Sequence, residues 1–376
     1  MAGIYIHIPF CKRRCIYCGF FSCTDLGFRQ RYTDAVCREI GTRVSDLNAD
    51  EIISTVYFGG GTPSCLSIRQ LEQIVKALDN AFPNRLKLEE FTIECNPDDV
   101  DENLVKELWM LGANRISLGI QTFNDQRLRF INRRHTSAKA RQAIDDIRKA
   151  GVENISIDLM FGFPGETAEE WSKDLDEAVR LSPAHISSYS LSYEEGTPLR
   201  KMLESGMVAE TDEETSRRMY YLMKDRLEQA GYEHYEISNF AKKGDTRRRA
   251  LHNSTYWSLK PYLGIGAAAH SFCTNTRRWN AADIKSYIEG IELGTPAYQY
   301  ETLDNTMKYN DTVMLRLRTC EGLCLSQLST GHREYCEKTS QSYIRNGLLR
   351  KDGDWLRLSR EGLFVSDMIM SELMIV

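Results

Sequence analysis

The sequence lacks the patterns that would place the protein in a membrane, on nucleic acid or outside the cell. No apolar run approaches the roughly 18 residues that a membrane-spanning helix needs, so insertion is not expected and any membrane contact would be peripheral. The net charge of −5 gives no general attraction for nucleic acid or anionic lipid. Residues 1–9 read as a β-strand and not as a signal peptide. With 11 cysteines in such a chain, a reducing compartment is expected, and the cytoplasm is the predicted location.

Length and composition set the number of domains. A chain of 376 residues exceeds the size at which a single core grows comfortably, and 42% hydrophobic residues are ample for packing. One large domain and a smaller one are therefore expected.

Apolar, strand-like segments alternate with helical patterns through the first half of the chain. The predicted strands are 4–8, 55–58, 90–95, 115–121, 154–161 and 186–192. The predicted helices between them include 70–82, 102–111, 138–150 and 168–181. Such alternation indicates a parallel α/β barrel or open sheet, with the functional loops together at the carboxyl ends of the strands.

The regular alternation of predicted strands and helices ends after residue 192. A long charged helix is predicted over 213–230, followed by a short strand or turn at 235–240. Asp352-Gly353 separates two short apolar segments and predicts a hairpin, and a helix is predicted over 361–373. The expected organisation is a barrel domain at 1–235, a connecting region at 236–300 and a small α+β, winged-helix-like domain at 301–376.

Three cysteines, Cys11, Cys15 and Cys18, lie within eight residues near the end of the first predicted strand. Thiolate is the ligand that iron-sulfur clusters use, and three thiolates would hold three irons of a [4Fe-4S] cube and leave the fourth open. Zinc is an alternative, although structural zinc sites use four ligands and no second cysteine pair follows at the usual distance. A disulfide framework is a further alternative that the predicted compartment disfavours.

The other cysteines are predicted to bind no metal. Cys23 does not continue the spacing of the first three, and Cys320, Cys324 and Cys336 have no nearby fourth ligand. We expect these four to be buried thiols.

Glycines and polar residues follow several of the predicted strands. Gly59-Gly60-Gly61-Thr62-Pro63 follows the second strand, where glycines allow close approach of the backbone to a ligand or simply form a turn. Glu94, Gln121 and Asp158 lie at or near the ends of later strands. Each could be an ordinary paired polar group, but together they would share one rim.

A histidine in an aromatic setting is the second candidate site. His252 opens the string HNSTYW, and it could be an axial heme ligand or a packed, hydrogen-bonded side chain. His270, after a glycine-rich segment at 264–269 expected to pack against the sheet edge, is a weaker candidate.

These motifs together resemble a known family. C-x3-C-x2-C with Tyr17 before the last cysteine is similar to the signature of the radical S-adenosylmethionine (SAM) superfamily. The strings YIHIPFC, FGGGTPS, ECNPDD, INRRHT and HNSTYW resemble its oxygen-independent coproporphyrinogen III oxidase-like branch, which includes heme chaperones. The resemblance implies an open (β/α)6 partial TIM barrel, a [4Fe-4S] cluster and SAM.

The resemblance also implies roles for individual residues. Gly60, Gly61 and Thr62 would meet the methionine end of SAM, and Tyr17 would lie near its adenine. Further contacts to SAM would come from Tyr5, Glu94, Gln121, Arg133 and Asp158. HNSTYW, with His252, would handle heme.

Two departures from the oxidase pattern favour a heme chaperone. Phe20 stands where the oxidase has a fourth cysteine, and the first strand is expected to begin at about the first residue, whereas the oxidase has an extension before it. The string HNSTYW favours the same interpretation. The expected function is heme binding and transfer, with coproporphyrinogen III oxidation as the alternative. The expected partners are heme or porphyrin, heme-accepting proteins and an electron donor such as flavodoxin or ferredoxin.

Overall fold

The computed structural model describes residues 1–375 of the 376-residue chain. At its centre, six parallel strands follow one another in sequence and in space. They are β1 (Ala2–Ile8), β2 (Ile53–Gly60), β3 (Leu86–Cys95), β4 (Arg115–Gln121), β5 (Ile155–Phe161) and β6 (His185–Ser190). Each overlaps a predicted strand, and the predicted partial barrel is confirmed.

Burial on both faces explains why these strands read as apolar runs. In β5 every residue is buried except Asp158, which is only partly exposed. Alternate side chains of a strand point to opposite faces, so one set packs under the outer helices and the other points into the barrel lumen.

Helices connect the central strands. They are α1 (Arg29–Thr42), α2 (Ile68–Ala81), α3 (Glu102–Met110), α4 (Asp125–Phe130), α5 (Ser137–Lys149) and α6 (Ala168–Leu181). Ser67 and Thr167 each form a capping box at the start of their helix, which explains why α2 and α6 were predictable. Helices α1 and α4 were missed, because α1 has no side-chain cap and α4 spans only 6 residues.

After β6 the chain widens the same sheet at both edges. The elements are α7 (Pro198–Glu204), α8 (Glu213–Gln229), β7 (Tyr232–Glu236), β8 (Asn239–Lys242), α9 (Leu251–Trp257), β9 (Tyr262–Ile265), β10 (His270–Cys273), β11 (Thr276–Asn280), α10 (Ile284–Glu292) and β12 (Tyr298–Thr302). The sheet has 12 strands, in the order β12-β11-β10-β9-β1-β2-β3-β4-β5-β6-β8-β7.

Strand β9 adds a parallel strand on the free side of β1, which the sequence did not predict. Gly264 in β9 lies so close to the next strand that a Cβ atom there would be 1.9 Å from the carbonyl oxygen of His270. The glycine-rich segment therefore does pack tightly at this side of the sheet, as a strand within it. Strands β8 to β11 fall within 236–300 and β12 begins there, so the predicted connecting region shares the sheet of the barrel.

Helix α9 closes the lumen at the amino-terminal end of the strands. The Glu90 carboxylate of β3 accepts hydrogen bonds from the backbone N–H groups of Leu251 (2.8 Å) and His252 (3.1 Å). At its other end, the carbonyl oxygen of Trp257 accepts a hydrogen bond of 3.3 Å from Arg316. The helix thus connects the barrel floor to the carboxyl-terminal part of the chain.

The carboxyl-terminal part forms a small α+β unit with its own core. It contains α11 (Asn305–Leu317), β13 (Leu323–Cys324), α12 (Thr330–Arg345), β14 (Leu349–Asp352), β15 (Trp355–Leu358), α13 (Arg360–Phe364) and α14 (Ser366–Leu373). The predicted hairpin is β14–β15, in a three-stranded sheet of order β13-β15-β14. The helix predicted over 361–373 is wrong as a single element, because Val365 has non-helical φ and ψ of −108° and 24° and divides it.

No helix within residues 1–375 is long and apolar enough to cross a membrane. The domain boundaries at 235 and 300 stay predictions.

Candidate functional site

The carboxyl ends of β1 to β6 surround one cavity of about 750 Å³. Its lining includes all the side chains predicted to hold the cluster or SAM, namely Tyr5, Cys11, Cys15, Tyr17, Cys18, Gly60, Gly61, Thr62, Glu94, Gln121, Arg133 and Asp158. The motifs are far apart in sequence and meet here because parallel strands end at the same edge of a sheet.

The cysteine loop is tied down by backbone hydrogen bonds. The N–H of Cys11 donates to the carbonyl of Cys23 (3.0 Å), and the N–H of Cys23 donates to the carbonyl of Pro9 (2.7 Å). On the other side, the Asn132 amide donates to the carbonyl of Arg14 at 2.8 Å. The loop is therefore positioned by β1 and by the turn after α4.

The three cysteines fit an iron-sulfur cluster. All three are free thiols that line the cavity, and burial raises the pKa of Cys11 to about 11 and also raises that of Cys18. Bound iron would offset the cost of burying these thiolates, because a cation deprotonates a coordinating thiol. Within residues 1–375, no three His, Cys, Asp or Glu side chains are placed to hold a single metal ion, whereas a cube needs only one thiolate at each of three irons.

The glycine loop packs directly against the cysteine loop. The N–H of Gly61 donates to the carbonyl of Ile8 and that of Thr62 to the carbonyl of Phe10, both at 2.8 Å. A Cβ atom on Gly61 would lie 2.7 Å from the carbonyl carbon of Pro9. Glycine is thus required here by the protein itself, in addition to any ligand. Thr62 Oγ1 lies 3.7 Å from Cys11 Sγ, so the two predicted sites are in contact.

Two carboxyl groups with raised pKa values line the lumen. Burial raises the pKa of Glu94 to about 7 and that of Asp158 to about 6. Glu94 accepts hydrogen bonds from the Tyr57 hydroxyl (2.6 Å) and from the Gly60 N–H (3.0 Å). Perturbed carboxyl groups in a cavity are typical of functional sites.

Arg133 and Gln121 line the cavity near the cysteine loop and the carboxyl end of β4. Arg133 Nη1 is 3.6 Å from Cys15 Sγ, and its Nη2 donates to the carbonyl of Gly119. Gln121 ends β4 with a φ of 71°, a left-handed conformation that is uncommon for residues other than glycine and turns the strand end at the rim.

His252 is fully buried in α9 and has both ring nitrogens in contact with hydroxyl groups. Nδ1 lies 2.9 Å from Thr55 Oγ1, and Nε2 lies 2.6 Å from the Tyr256 hydroxyl. Burial lowers its pKa to about 3, so the ring is neutral. Ligation of heme iron by His252 would require one of these contacts to open, and the heme-ligand role stays a prediction. Its neighbour Asn253, not His252, lines the cavity.

His270 and the four cysteines predicted to bind no metal, Cys23, Cys320, Cys324 and Cys336, lie outside the cavity lining. The exposed His270 ring stacks on Trp279, with 5.9 Å between ring centroids. Cys324 and Cys336 are buried as predicted, and Cys23 is partly buried. The prediction was wrong for Cys320, which is exposed and contacts the Glu321 carboxylate at 3.4 Å.

Sequence reasoning missed several lumen residues, notably Tyr57, Arg115, Ser187 and Asn253. A signal for Arg115 exists in β4, where the polar or small residues 115, 117, 119 and 121 alternate with apolar ones and all line the cavity. Asn253 gives no such signal, because α9 reaches the lumen only through tertiary packing.

Comparisons with known proteins agree with this fold. The radical SAM superfamily profile matches residues 5–178, and the HemN C-terminal domain profile matches residues 303–365. The heme chaperone HemW of Bacillus subtilis (strain 168) is 32% identical over 372 residues, which cover 96% of each chain. The chain belongs to the radical SAM superfamily. Within this superfamily it lies in the HemN-like branch, close to HemW.

Other relatives are consistent with this position. The heme chaperone HemW of Synechocystis sp. (strain ATCC 27184 / PCC 6803 / Kazusa) is 36% identical and covers 86% of this chain and 79% of its own. The solved structure of coproporphyrinogen III oxidase (HemN) from Escherichia coli superposes with a TM-score of 0.86, covering 99% of this chain and 89% of that one. At 21% identity that structure establishes the shared fold alone.

Proposed function

We propose that the protein is a heme chaperone that binds heme and transfers it to acceptor proteins. The observation that carries this proposal is the end-to-end match to HemW, at 32% identity over 96% of both chains. The cluster and SAM would serve to control assembly or transfer, and not to modify heme.

The rim of the cavity supports a role in handling an apolar ligand. Phe20 lines the cavity mouth and is 71% exposed. An exposed aromatic ring beside a cavity is costly to leave in water and suits contact with a flat, apolar macrocycle.

The residues at the rim would hold the cofactors. Cys11, Cys15 and Cys18 would each hold one iron of a [4Fe-4S] cluster, which would supply redox chemistry and a site for SAM. The protein would hold SAM by the groups already placed in the lining, which are Tyr5, Tyr17, Gly60, Gly61, Thr62, Glu94, Gln121, Arg133 and Asp158.

The proposed partners follow from the same surface. Lys12, Arg13 and Arg14 are exposed between the first two cluster cysteines, which suits an acidic electron donor of the flavodoxin or ferredoxin class. Action in the cytoplasm, where thiolates stay reduced, is part of the proposal.

Coproporphyrinogen III oxidation is the second candidate. It is favoured by one observation, namely that all the predicted SAM residues lie together in one lumen. Such a site could support SAM-dependent chemistry on a substrate.

The two functions are separated by testing the reconstituted protein with each ligand. A heme chaperone should bind heme with a stable Soret band, release it to an apo-acceptor and leave coproporphyrinogen unchanged. Turnover of coproporphyrinogen to vinyl products, with an electron donor and SAM, would favour the oxidase instead. Loss of heme binding without turnover would contradict both.

A further inference from the structure

A buried arginine at the cavity floor has almost no partner within the protein. Arg115 opens β4, is 2% exposed and lines the cavity. Its one hydrogen bond is a long contact of 3.4 Å from Nη1 to Thr92 Oγ1, and its Nε has no partner. The nearest carboxylate, Glu90, lies 4.0 Å away and already accepts hydrogen bonds from two N–H groups of α9.

Arg43, a second buried arginine, is an example of an arginine with a structural role. Arg43 is 3% exposed, and its guanidinium is satisfied on every side. Nη1 donates to Glu39 (2.9 Å) and to the Gly264 carbonyl (3.2 Å), while Nη2 donates to Ser271 (3.0 Å). A guanidinium has five N–H donors, and burying it without partners is costly. Arg115 makes only one long hydrogen bond and one ion pair at 4.0 Å, so the protein offsets the cost of burying it less well than for Arg43.

The lumen around Arg115 selects the kind of ligand. Glu94 and Asp158 already contribute two carboxyl groups to the same cavity. A phosphate dianion would add strong repulsion from these groups. A monocarboxylate carries a single charge, and the planar fork of arginine matches its two oxygens. Asn253 and Ser187 line the same cavity and offer neutral hydrogen-bonding groups there.

We propose that Arg115 anchors the carboxylate of a ligand that occupies the floor of the lumen, below the rim where SAM is proposed to bind. The ligand class is a monocarboxylate, either as a small acid or as the carboxylate arm of a larger molecule such as a porphyrin. The subsite itself does not depend on the proposed function, whereas the porphyrin source rests on it.

The first test compares the two buried arginines without ligand. Arg115→Met removes a charge whose nearest carboxylate, Glu90, is 4.0 Å away, and it keeps the volume, so its melting temperature should stay within about 3 °C of the wild type. Arg43→Met breaks a satisfied network and should melt lower by about 5 °C or more. Both melts are measured at pH 6, where Glu94 is largely protonated and Asp158 is partly protonated. At this pH the loss of the positive charge of Arg115 affects these two carboxyl groups least. Equal losses in the two variants would make Arg115 a structural residue and overturn the proposal.

The second test measures binding on anaerobically reconstituted protein. Propionate should raise the wild-type melting temperature saturably, and the neutral isostere propionamide should not. Heme should bind about tenfold or more tightly than heme dimethyl ester, in which both propionates are uncharged. The preference for propionate over propionamide and the preference for heme over its dimethyl ester should both disappear in Arg115→Met. Both should return in part in Arg115→Lys.

The outcomes distinguish the subsite from the heme function. A propionate response that requires Arg115 in a protein that binds no heme would leave the subsite standing and remove the chaperone proposal. If neither ligand pair shows a preference for the carboxylate that depends on Arg115, the subsite is wrong.

Discussion

Each of the three cysteines at the rim is proposed to hold a separate iron, so none can be replaced by another. Changing Cys11, Cys15 or Cys18 to Ala should abolish the visible absorption of the reconstituted cluster and reduce iron well below about four per chain. Cys320→Ala is the matched control, because this cysteine is exposed in the carboxyl-terminal unit and lies outside the cavity lining. Iron and sulfide analysis measures the result, and one zinc per chain in anaerobically purified protein would contradict it.

Glu94 should make the stability of the protein depend on pH. Burial raises its pKa from 4.5 to about 7, so the folded protein keeps a proton that the unfolded chain has lost. Its favourable contribution is therefore present below pH 4.5 and is lost as the pH rises toward 7. Glu94→Gln, which stays neutral, should melt close to the wild type at pH 5 and a few degrees above it at pH 8, by about 2 to 4 °C. A constant difference across this range would show that Glu94 does not titrate there.

Residues could be assigned to the candidate site from sequence where they belong to a recognisable motif. The cysteine triad and Arg133 were found this way, and all lie in one cavity. Tyr57 could not be, because an isolated polar residue in an apolar strand does not reveal which face of the sheet it occupies until the register is known. Arg115 was missed, although the alternation in β4 indicates its face. His252 was identified as a candidate, but one of its two hydroxyl contacts is with Thr55, which is 197 positions away.

At the scale of single elements, the pairing of β9 with β1 depends on the absence of a side chain. Gly264→Ala would put a Cβ atom 1.9 Å from the carbonyl oxygen of His270, so the unfolding free energy should fall by about 1–3 kcal/mol or more. Gly41→Ala is the control, since a Cβ on this helical glycine meets nothing within 4 Å. That change should stabilise α1 by about 0.5–1 kcal/mol. Urea titrations measure both, and similar effects in the two variants would contradict the close contact.

Helix α9 gives a direct test of the heme-ligand hypothesis. His252→Ala removes both hydroxyl contacts and should lower stability by about 1–3 kcal/mol whether or not heme binds there. If His252 is an axial ligand, this variant should also shift or lose the Soret band. Tyr256→Phe is the control, because it frees Nε2 while keeping the imidazole. Unchanged heme spectra and affinity in His252→Ala would remove the residue as a ligand.

Elements were predictable where local signals agreed with the fold. Helix α6 has a capping box and an apolar stripe that includes the buried Trp171 and Leu175, and it was predicted at its observed bounds. Strands β9 and β10 span only 4 residues each and take their place in the sheet from Gly264, not from any apolar pattern. Their pairing is a property of tertiary structure that a short sequence window does not contain.

For the whole molecule, the charge distribution predicts where an acidic electron donor would dock. Despite a net charge of −5, the cysteine loop itself carries the exposed basic residues Lys12, Arg13 and Arg14. Arg13→Glu with Arg14→Glu should slow cluster reduction by reduced flavodoxin about tenfold or more at low ionic strength, and less as salt is added. Dithionite, a small reductant, should reduce both proteins at similar rates.

The control for this charge reversal is Arg218→Glu on the exposed face of α8. It changes the net charge by the same amount per residue but lies outside the cavity lining. If it slows reduction by flavodoxin as much per charge as the loop variants do, the effect is one of net charge, and the docking surface at the cluster loop is wrong.

The closure of the lumen by α9 has a kinetic consequence. Asn253 and the buried Arg115 lie at the closed end, while the exposed lining residues, among them Phe20 and Glu194, lie at the open end. A ligand at the proposed floor subsite and SAM at the proposed rim site would share one passage, so the inner ligand would have to enter first and leave last. SAM at the rim would trap whatever had already reached Arg115, and its departure would be the event that sets the residence time of the inner ligand.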